Sequence, residues 1–210
     1  MWQDIENAVK ELLNSTGYDV LHIISKLESE LDSKDIYSRV MDKIKNRQRS
    51  EVKIIEYNPG LKNYFRDLNY EWISKYFTVE KKDKKQLEHP EKEIIENGGF
   101  ILFAEYEGEI TGTVALLKHS DNKFELAKMA VTEKAQGKQI GKKLALAAIK
   151  KLKSMNVESI FLESNTSLLP ALNLYQNLGF KEVEMKEQSD YKRATIRMEL
   201  DLKKLNKILI

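Results

Sequence analysis

Through residues 1 to about 50, apolar side chains recur at spacings of three and four. Trp2, Ile5, Val9, Leu12 and Leu13 fall on one helical face, and Gly17 is a suitable stop. Val20, Ile24, Leu27 and Leu31 form a second stripe. Asp32 or Ser33 is placed to cap a third helix carrying Ile36, Val40, Met41 and Ile44. Helices this short do not stand alone, so the stripes must pack on the rest of the chain or on another subunit. The polar, basic run from Lys45 to Ser50 reads as a boundary.

The pattern changes at Glu51. Val52 to Tyr57 reads as a strand and Asn58-Pro59-Gly60 as a turn. Leu61 to Phe77 is a helix with Leu61, Tyr64, Phe65, Leu68, Trp72 and Tyr76 along one side, and Pro90 to Asn97 is a second, ended by Gly98-Gly99. Phe100–Tyr106 and Ile110–Leu117 are strands joined at Glu107-Gly108, a hairpin signal. Phe124–Val131 is a further strand. Ile140, Leu144, Ala148 and Leu152 stripe a long helix, and Ser159–Glu163 is a short apolar strand. Pro170 opens a helix that Gly179 stops. Phe180–Glu187 and Ala194–Leu200 suit a closing hairpin. The order β-α-α-β-β-β-α-β-α-β-β is that of an α/β (α+β) domain, a mixed sheet with helices on its faces.

Composition narrows the function. Of 210 residues 41% are hydrophobic, enough for a buried core. Basic residues number 35 and acidic 33, spread along the chain, which leaves no clustered excess for coating nucleic acid. There is no cysteine, so disulfides, thiolate metal sites and cysteine nucleophiles are excluded. His22, His89 and His119 show no ligand spacing, and no metal is expected. No stretch approaches the roughly 18 apolar residues of a membrane span, and the start Met1-Trp2-Gln3-Asp4-Ile5-Glu6 lacks the layout of a signal peptide. The expectation is a cytoplasmic protein without membrane or nucleic-acid partners.

The stretch Val131 to Leu144 carries the chemistry. A strand ends, a polar loop with Gly137 and Gly141 follows, and an Ala/Leu-rich helix begins. Glycines allow close backbone approach, and a helix N-terminus presents free N–H groups to an anion. Lys138, Lys142 and Lys143 add positive charge. Pyrophosphate is the natural guest. The spacing matches neither a P-loop nor a dinucleotide-binding loop. The plainer alternative is a helix start with basic residues for solubility.

This segment resembles the acetyl-CoA loop of the GNAT acetyltransferase superfamily, [Q/R]-x-x-G-x-[G/A] after a strand. Gln136 and Gly141 match its ends, and Gln139 stands where the first glycine is expected. Ala171-Leu172-Asn173-Leu174-Tyr175-Gln176-Asn177-Leu178-Gly179-Phe180 resembles the family's A-x-x-L-Y-x-x-x-G-F segment. The resemblance covers about residues 51–200 and implies a mostly antiparallel mixed sheet flanked by helices, preceded by a helical extension over 1–50 and followed by a tail over 201–210. It implies that the strand Glu125–Val131 splays from its parallel neighbour and that the pantetheine arm of acetyl-CoA, the co-substrate, lies in the gap. Main-chain groups of Met129 and Val131 would pair with that arm, the Met129 N–H facing the thioester carbonyl. N–H groups of Gln136, Gly137, Lys138, Gln139, Ile140, Gly141 and Lys142 would hold the pyrophosphate. Tyr175 matches the tyrosine that protonates the departing thiolate in many members. Asn165 would touch pantetheine or cap the next turn, and Leu168 stands where many members carry an asparagine.

An amine is protonated at neutral pH and must lose a proton before it attacks, so a carboxylate beside the gap is useful. Glu125 stands where some members place the base, and Glu163 is a second candidate. Each has a structural alternative: Tyr175 as a core tyrosine, Glu125 as a solvent-face residue. Leu68 to Phe77 occupies the family's acceptor region, where its aromatics also suit a core. The resemblance thus implies N-acetyl transfer from acetyl-CoA to a small-molecule or protein amine by direct attack in a ternary complex. The rival is a non-catalytic acyl-CoA-binding regulatory dimer. Asp19 to Arg49 resembles the terminal helices of MarR-type regulators, which are sometimes fused to an acetyltransferase and dimerise through such helices. The expectation is a homodimer through the N-terminal helices, with the DNA-reading module of those regulators missing before Met1.

Overall fold

Short, largely apolar strands build a seven-stranded sheet in the order β1-β2-β3-β4-β5-β7-β6 among the described residues. The strands are β1 (Lys53–Glu56), β2 (Phe100–Tyr106), β3 (Glu109–Ser120), β4 (Lys123–Val131), β5 (Ser159–Ser164), β6 (Lys181–Val183) and β7 (Ile196–Asp201). Only β4 and β5 run parallel; the other neighbours are antiparallel. The computed structural model of the chain describes residues 2–15, 20–33, 35–185 and 188–204. It divides into two compact units, Met1–Arg47 and Gln48–Ile210.

In the second unit the sheet has two apolar faces because successive side chains point to opposite sides. On one face lie α6 (Ile140–Ser154) and α7 (Leu169–Asn177), whose Leu144, Ala148, Leu152, Leu172 and Tyr175 pack with Leu102, Val114 and Leu126. On the other lie α4 (Lys62–Tyr76) and α5 (Lys81–Glu88), whose Phe65, Ile73 and Leu87 pack with Ile101, Phe103 and Ala115. Gly112 on β3 lets α6 come close: a Cβ there would stand 3.0 Å from Leu144 and 3.1 Å from Ile140.

Two irregularities in β4 shape everything that follows. The parallel pairing with β5 covers only Lys123–Glu125 against Ser159–Phe161, while β5 stays with β7 through Ser164. From Leu126 onward β4 therefore diverges from β5. The register with β3 also shifts between Thr113 and Ala115, a bulge at which Lys128 adopts φ +51°.

The sequence reading differs in several places. Lys81–Glu88 is a helix that the reading passed over. Glu80 and Asp83 form its reciprocal cap, a carboxylate version of the capping box, so a polar segment with little apolar periodicity is nonetheless nucleated. Pro90–Asn97 holds only one wide helical turn, Glu91–Ile95, because the chain must turn back at once through Gly98, with φ +79°. In the first unit α1 (Trp2–Ser15), α2 (Val20–Ser33) and α3 (Ile36–Glu51) follow the apolar stripes. The cap of α3 is Asp35, which accepts the Ser38 N–H at 2.9 Å, whereas Asp32 and Ser33 belong to α2. The basic run Lys45–Ser50 is helical, having no glycine or proline to stop it, and the division into units falls within it. Gly17 and the end of the strand expected to reach Glu187 lie outside the described residues. Ile5, Ile23, Leu27, Ile36, Tyr37, Val40 and Ile44 are exposed on these three helices. Among the described residues no helix is long and apolar enough to cross a membrane.

Candidate active site

The divergence of β4 from β5 opens a cavity of about 1130 Å³. One end is the loop that leads into α6, the middle is the exposed edge of β4, and the far end is bounded by α4 and by residues 191–194.

At the loop end Gln136 and Gly137 precede Gln139, the N-cap of α6, which sits in the left-handed region at φ +63°. Glycine takes that conformation freely; another residue pays about 1–2 kcal/mol of steric cost. The position where glutamine replaces the expected glycine is thus one where the backbone favours glycine. The first bond of α6 runs from the Lys143 N–H to the Gln139 carbonyl, so the N–H groups of Ile140, Gly141 and Lys142 have no intrahelical acceptor. All three residues line the cavity, as do Gln136, Gly137 and Gln139. The lysines divide. Lys142 lines the cavity and has no ion-pair partner among the described residues. Lys138 lies over the Tyr106 ring at 4.5 Å, and Lys143 donates to the Val52 carbonyl. Of the three side-chain charges expected at the phosphate end, only that of Lys142 is there, because successive helical residues are turned by about 100°.

In the middle, the Thr132 N–H donates to the Thr111 carbonyl. Ladder bonds alternate along an antiparallel strand, so Ala130 turns its main chain toward β3 and Met129 and Val131 turn theirs toward the gap. Tyr175, carried by α7, is 7% exposed and lines the same gap. No residue hydrogen-bonds its hydroxyl, yet no fully buried side-chain polar atom lacks a partner among the described residues. The hydroxyl must therefore reach open cavity space. Burial pushes its pKa well up, which keeps the phenol a proton donor.

Glu125 stands at the last paired position of β4, 5% exposed, and lines the cavity. One of its oxygens, Oε2, lies 2.9 Å from His119 Nε2. Glu163 also lines the cavity, but its oxygens accept bonds from Ser189 Oγ and, at 3.3 Å, from Arg197. Asn165 is spent locally: its Nδ2 donates to the Arg193 carbonyl at 2.6 Å and its Oδ1 accepts the Ser167 N–H at 2.9 Å. Asn165 thus caps the next turn and also lines the cavity.

Three further features complete the site; the first falls in the stretch Leu68–Phe77 already singled out in the sequence, and the other two escaped the sequence reading. Asn69, Trp72 and Tyr76 share the face of α4 that borders the cavity. Asn69 is 2% exposed; its Nδ2 donates to the Phe65 carbonyl, and its Oδ1, with no partner among the described residues, opens on the cavity by the same reasoning as for Tyr175. The second feature is an ionic cluster at the bulge. Lys128 Nζ meets Asp83 Oδ1 at 2.9 Å and the Tyr191 hydroxyl at 2.6 Å. Arg193 grips both oxygens of Asp83 at 2.7 and 2.8 Å and reaches Glu80 at 3.1 Å. Burial alone would raise the Asp83 pKa, but the Arg193 hydrogen bonds and the Lys128 charge outweigh it and hold the carboxyl below its ordinary value. Burial pulls Lys128 below the ordinary lysine value even beside Asp83. This cluster ties α5, the bulge and the segment before β7 together at the edge of the cavity. The only sequence signal was the Glu80–Asp83 spacing; the partners lie 45 and 110 residues away. The third feature is the His119–Glu125 contact itself.

A family model described as the acetyltransferase (GNAT) family matches residues 66–180, more than half of the chain. The chain belongs to the GNAT acetyltransferase family. Both motifs singled out in the sequence lie inside the matched stretch. The uncharacterized N-acetyltransferase YjgM of Escherichia coli is 37% identical over 83 residues, which are 38% of this chain and 50% of that protein. The chain spans about half the length of such curated relatives. Among solved structures, a GNAT-family acetyltransferase from Staphylococcus aureus is 25% identical, with TM-score 0.66 over 72% of this chain and 99% of that one. YncA of Salmonella typhimurium, solved with its cofactor acetyl-CoA, shares the fold at 17% identity and TM-score 0.58, over 72% of this chain and 94% of its own.

Proposed function

We propose that this GNAT-family chain is an N-acetyltransferase that moves an acetyl group from acetyl-CoA to an amine by direct attack in a ternary complex. The observation that carries the reading is the cavity. It gathers an unpaired strand edge, the free N–H groups of α6, the Tyr175 hydroxyl and the Glu125 carboxylate in one space. Acetyl-CoA supplies the activated acyl thioester; a solved relative by fold carries it.

The residues divide the work along the cavity. N–H groups from Gln136 to Lys142, with the Lys142 charge, bind the pyrophosphate. Main-chain groups of Met129 and Val131 hold the pantetheine arm as an added strand, and the Met129 N–H polarises the thioester carbonyl. The bulge held by Lys128 and Asp83 orients that N–H. Glu125 takes a proton from the acceptor ammonium, and Asn69 Oδ1 accepts a second N–H to orient the amine. Tyr175, a phenol held neutral, donates to the departing thiolate. Glu163 is the second candidate, its oxygens already engaged by Arg197 and Ser189.

Calorimetric titration with acetyl-CoA, against dephospho-CoA and NAD, tests the reading. CoA-selective binding supports it; absence of binding means that Gln139 has disabled the loop and that the fold serves an interaction. The N-terminal helices are proposed to make a homodimer, supported by their exposed apolar residues and by the likeness of α2 and α3 to the dimerising helices of MarR-type regulators. Sedimentation of the full chain against a chain starting near Ser50 tests this, and two monomers would refute it.

A further inference from the structure

Acetylating an ammonium with a thioester gives an amide, a thiol and one released proton. Tyr175 returns one of the two nitrogen protons to the sulfur; the other lands on Glu125. That proton has to leave before the next turnover. Glu125 is 5% exposed, and the cavity it faces is the one that the proposed function assigns to both substrates.

A second cavity, of about 450 Å³, lies behind it, lined among others by Lys82, Gln86, Glu93 and His119. Its volume is many times the about 30 Å³ share of one water, and its walls are polar enough to hold several. His119 stands between the two spaces. Its Nε2 is 2.9 Å from Glu125 Oε2, its ring sits edge-on to Phe161 at 4.9 Å, and its side chain is 46% exposed. Asp190, itself held by Lys82, lies near enough to the imidazole to feel its charge, and Lys128 and Tyr191 feel the charge of Glu125.

We propose that His119 is the proton exit of the site: it takes the proton from Glu125 and releases it to water in the second cavity. The inference rests on the reading of Glu125 as base. Protonated Glu125 donates to an unprotonated His119 Nε2, leaving a carboxylate and an imidazolium. The imidazolium loses one proton to cavity water. The half-exposed ring then turns to present an unprotonated nitrogen again. One proton enters from the ammonium and one leaves to solvent. His119 is a positioning and relay residue, since it acts through Glu125 without touching substrate.

The test uses the full chain, acetyl-CoA and excess 2-phenylethylamine, ethanolamine and spermidine as probe amines, with His119→Gln, His119→Phe and Glu125→Gln. The relay is needed only after a proton has been taken up, so the first turnover of His119→Gln proceeds at the wild-type rate in a rapid-quench assay. Later turnovers slow at least about tenfold, less than the loss from removing a direct acid–base group. Added imidazole restores the steady-state rate in a concentration-dependent way, and the KM for acetyl-CoA is unchanged. Equal loss in first and later turnovers without imidazole rescue would overturn the relay and leave a structural contact. Full activity of both His119 variants would show that the proton leaves elsewhere. Full activity of Glu125→Gln, or no wild-type turnover with any probe amine, would remove the base reading and the relay with it. Calorimetric binding of acetyl-CoA separates that failure from loss of the cofactor site.

Discussion

Replacing Asp83 by Asn removes the one anion that Lys128 touches among the described residues. The Asp83 side chain is 0% exposed and that of Lys128 is 4%, so neither charge is shared with solvent. Arg193, 18% exposed, keeps Glu80 at 3.1 Å and retains some water. Lys128 is left with uncharged acceptors, the Tyr191 hydroxyl and the amide oxygen at position 83. Breaking a buried pair by neutralising one partner costs about 3–5 kcal/mol, because the other charge is left uncompensated. Asp83→Asn should therefore cost about 3 kcal/mol or more. Adding Lys128→Met removes the stranded charge, so the double variant should be more stable than Asp83→Asn alone, with a coupling of about 2 kcal/mol. Urea unfolding followed by Trp72 fluorescence in a Trp2→Phe background measures all four members of the cycle. The sign with pH follows from the lowered Asp83 pKa. Its contribution is fully present above the unfolded aspartate pKa, about 3.9, and is lost as pH falls through the lower folded value. The gap between wild type and Asp83→Asn should be constant near neutrality and close below about pH 4. A cost under about 1 kcal/mol, or singles that simply add, would refute the argument that this cluster is a buried, mutually dependent unit.

Other residues make separate predictions. Tyr175→Phe should lower turnover by about 10²-fold while leaving acetyl-CoA affinity unchanged by calorimetry; an unchanged rate removes it as the acid. Gln139→Gly should stabilise the fold by up to about 1 kcal/mol in urea, the left-handed cost less the freedom that glycine gains when unfolded. Gly112→Ala should cost about 1–3 kcal/mol, since its Cβ would press on Leu144, Ile140 and the Ala130 carbonyl at 3.0 to 3.2 Å. Gly141→Ala should be nearly neutral for folding, its Cβ meeting nothing closer than Leu174 at 3.5 Å, so any loss of acetyl-CoA affinity would report backbone contact with the ligand.

Local sequence pattern by itself determines much of this protein. The apolar runs Phe100–Tyr106 and Ile110–Leu117, the stripe Ile140–Leu144–Ala148–Leu152 and the punctuation at Gly98, Gly108 and Gly179 are short-range signals, and they yielded the element order apart from the helix Lys81–Glu88. The two motifs at Gln136–Gly141 and Ala171–Phe180 carried the family, because the glycine and aromatic positions of a loop and a helix end are set by nearby backbone. Tertiary structure alone decided what depends on contacts across the chain. That Glu125 meets His119 follows from the β3–β4 hairpin with its irregularity between Lys118 and Ser120 and from packing that buries the carboxylate, and that Asp83 joins Lys128 to Arg193 follows from a helix docking on a bulge. Neither follows from spacing. The left-handed Gln139 likewise turns a mismatch in a motif into a statement about backbone cost. A sequence encodes periodicity within one element directly, but burial and charge pairing arise only when distant elements share one low-dielectric space, and there the chemistry of this site is set.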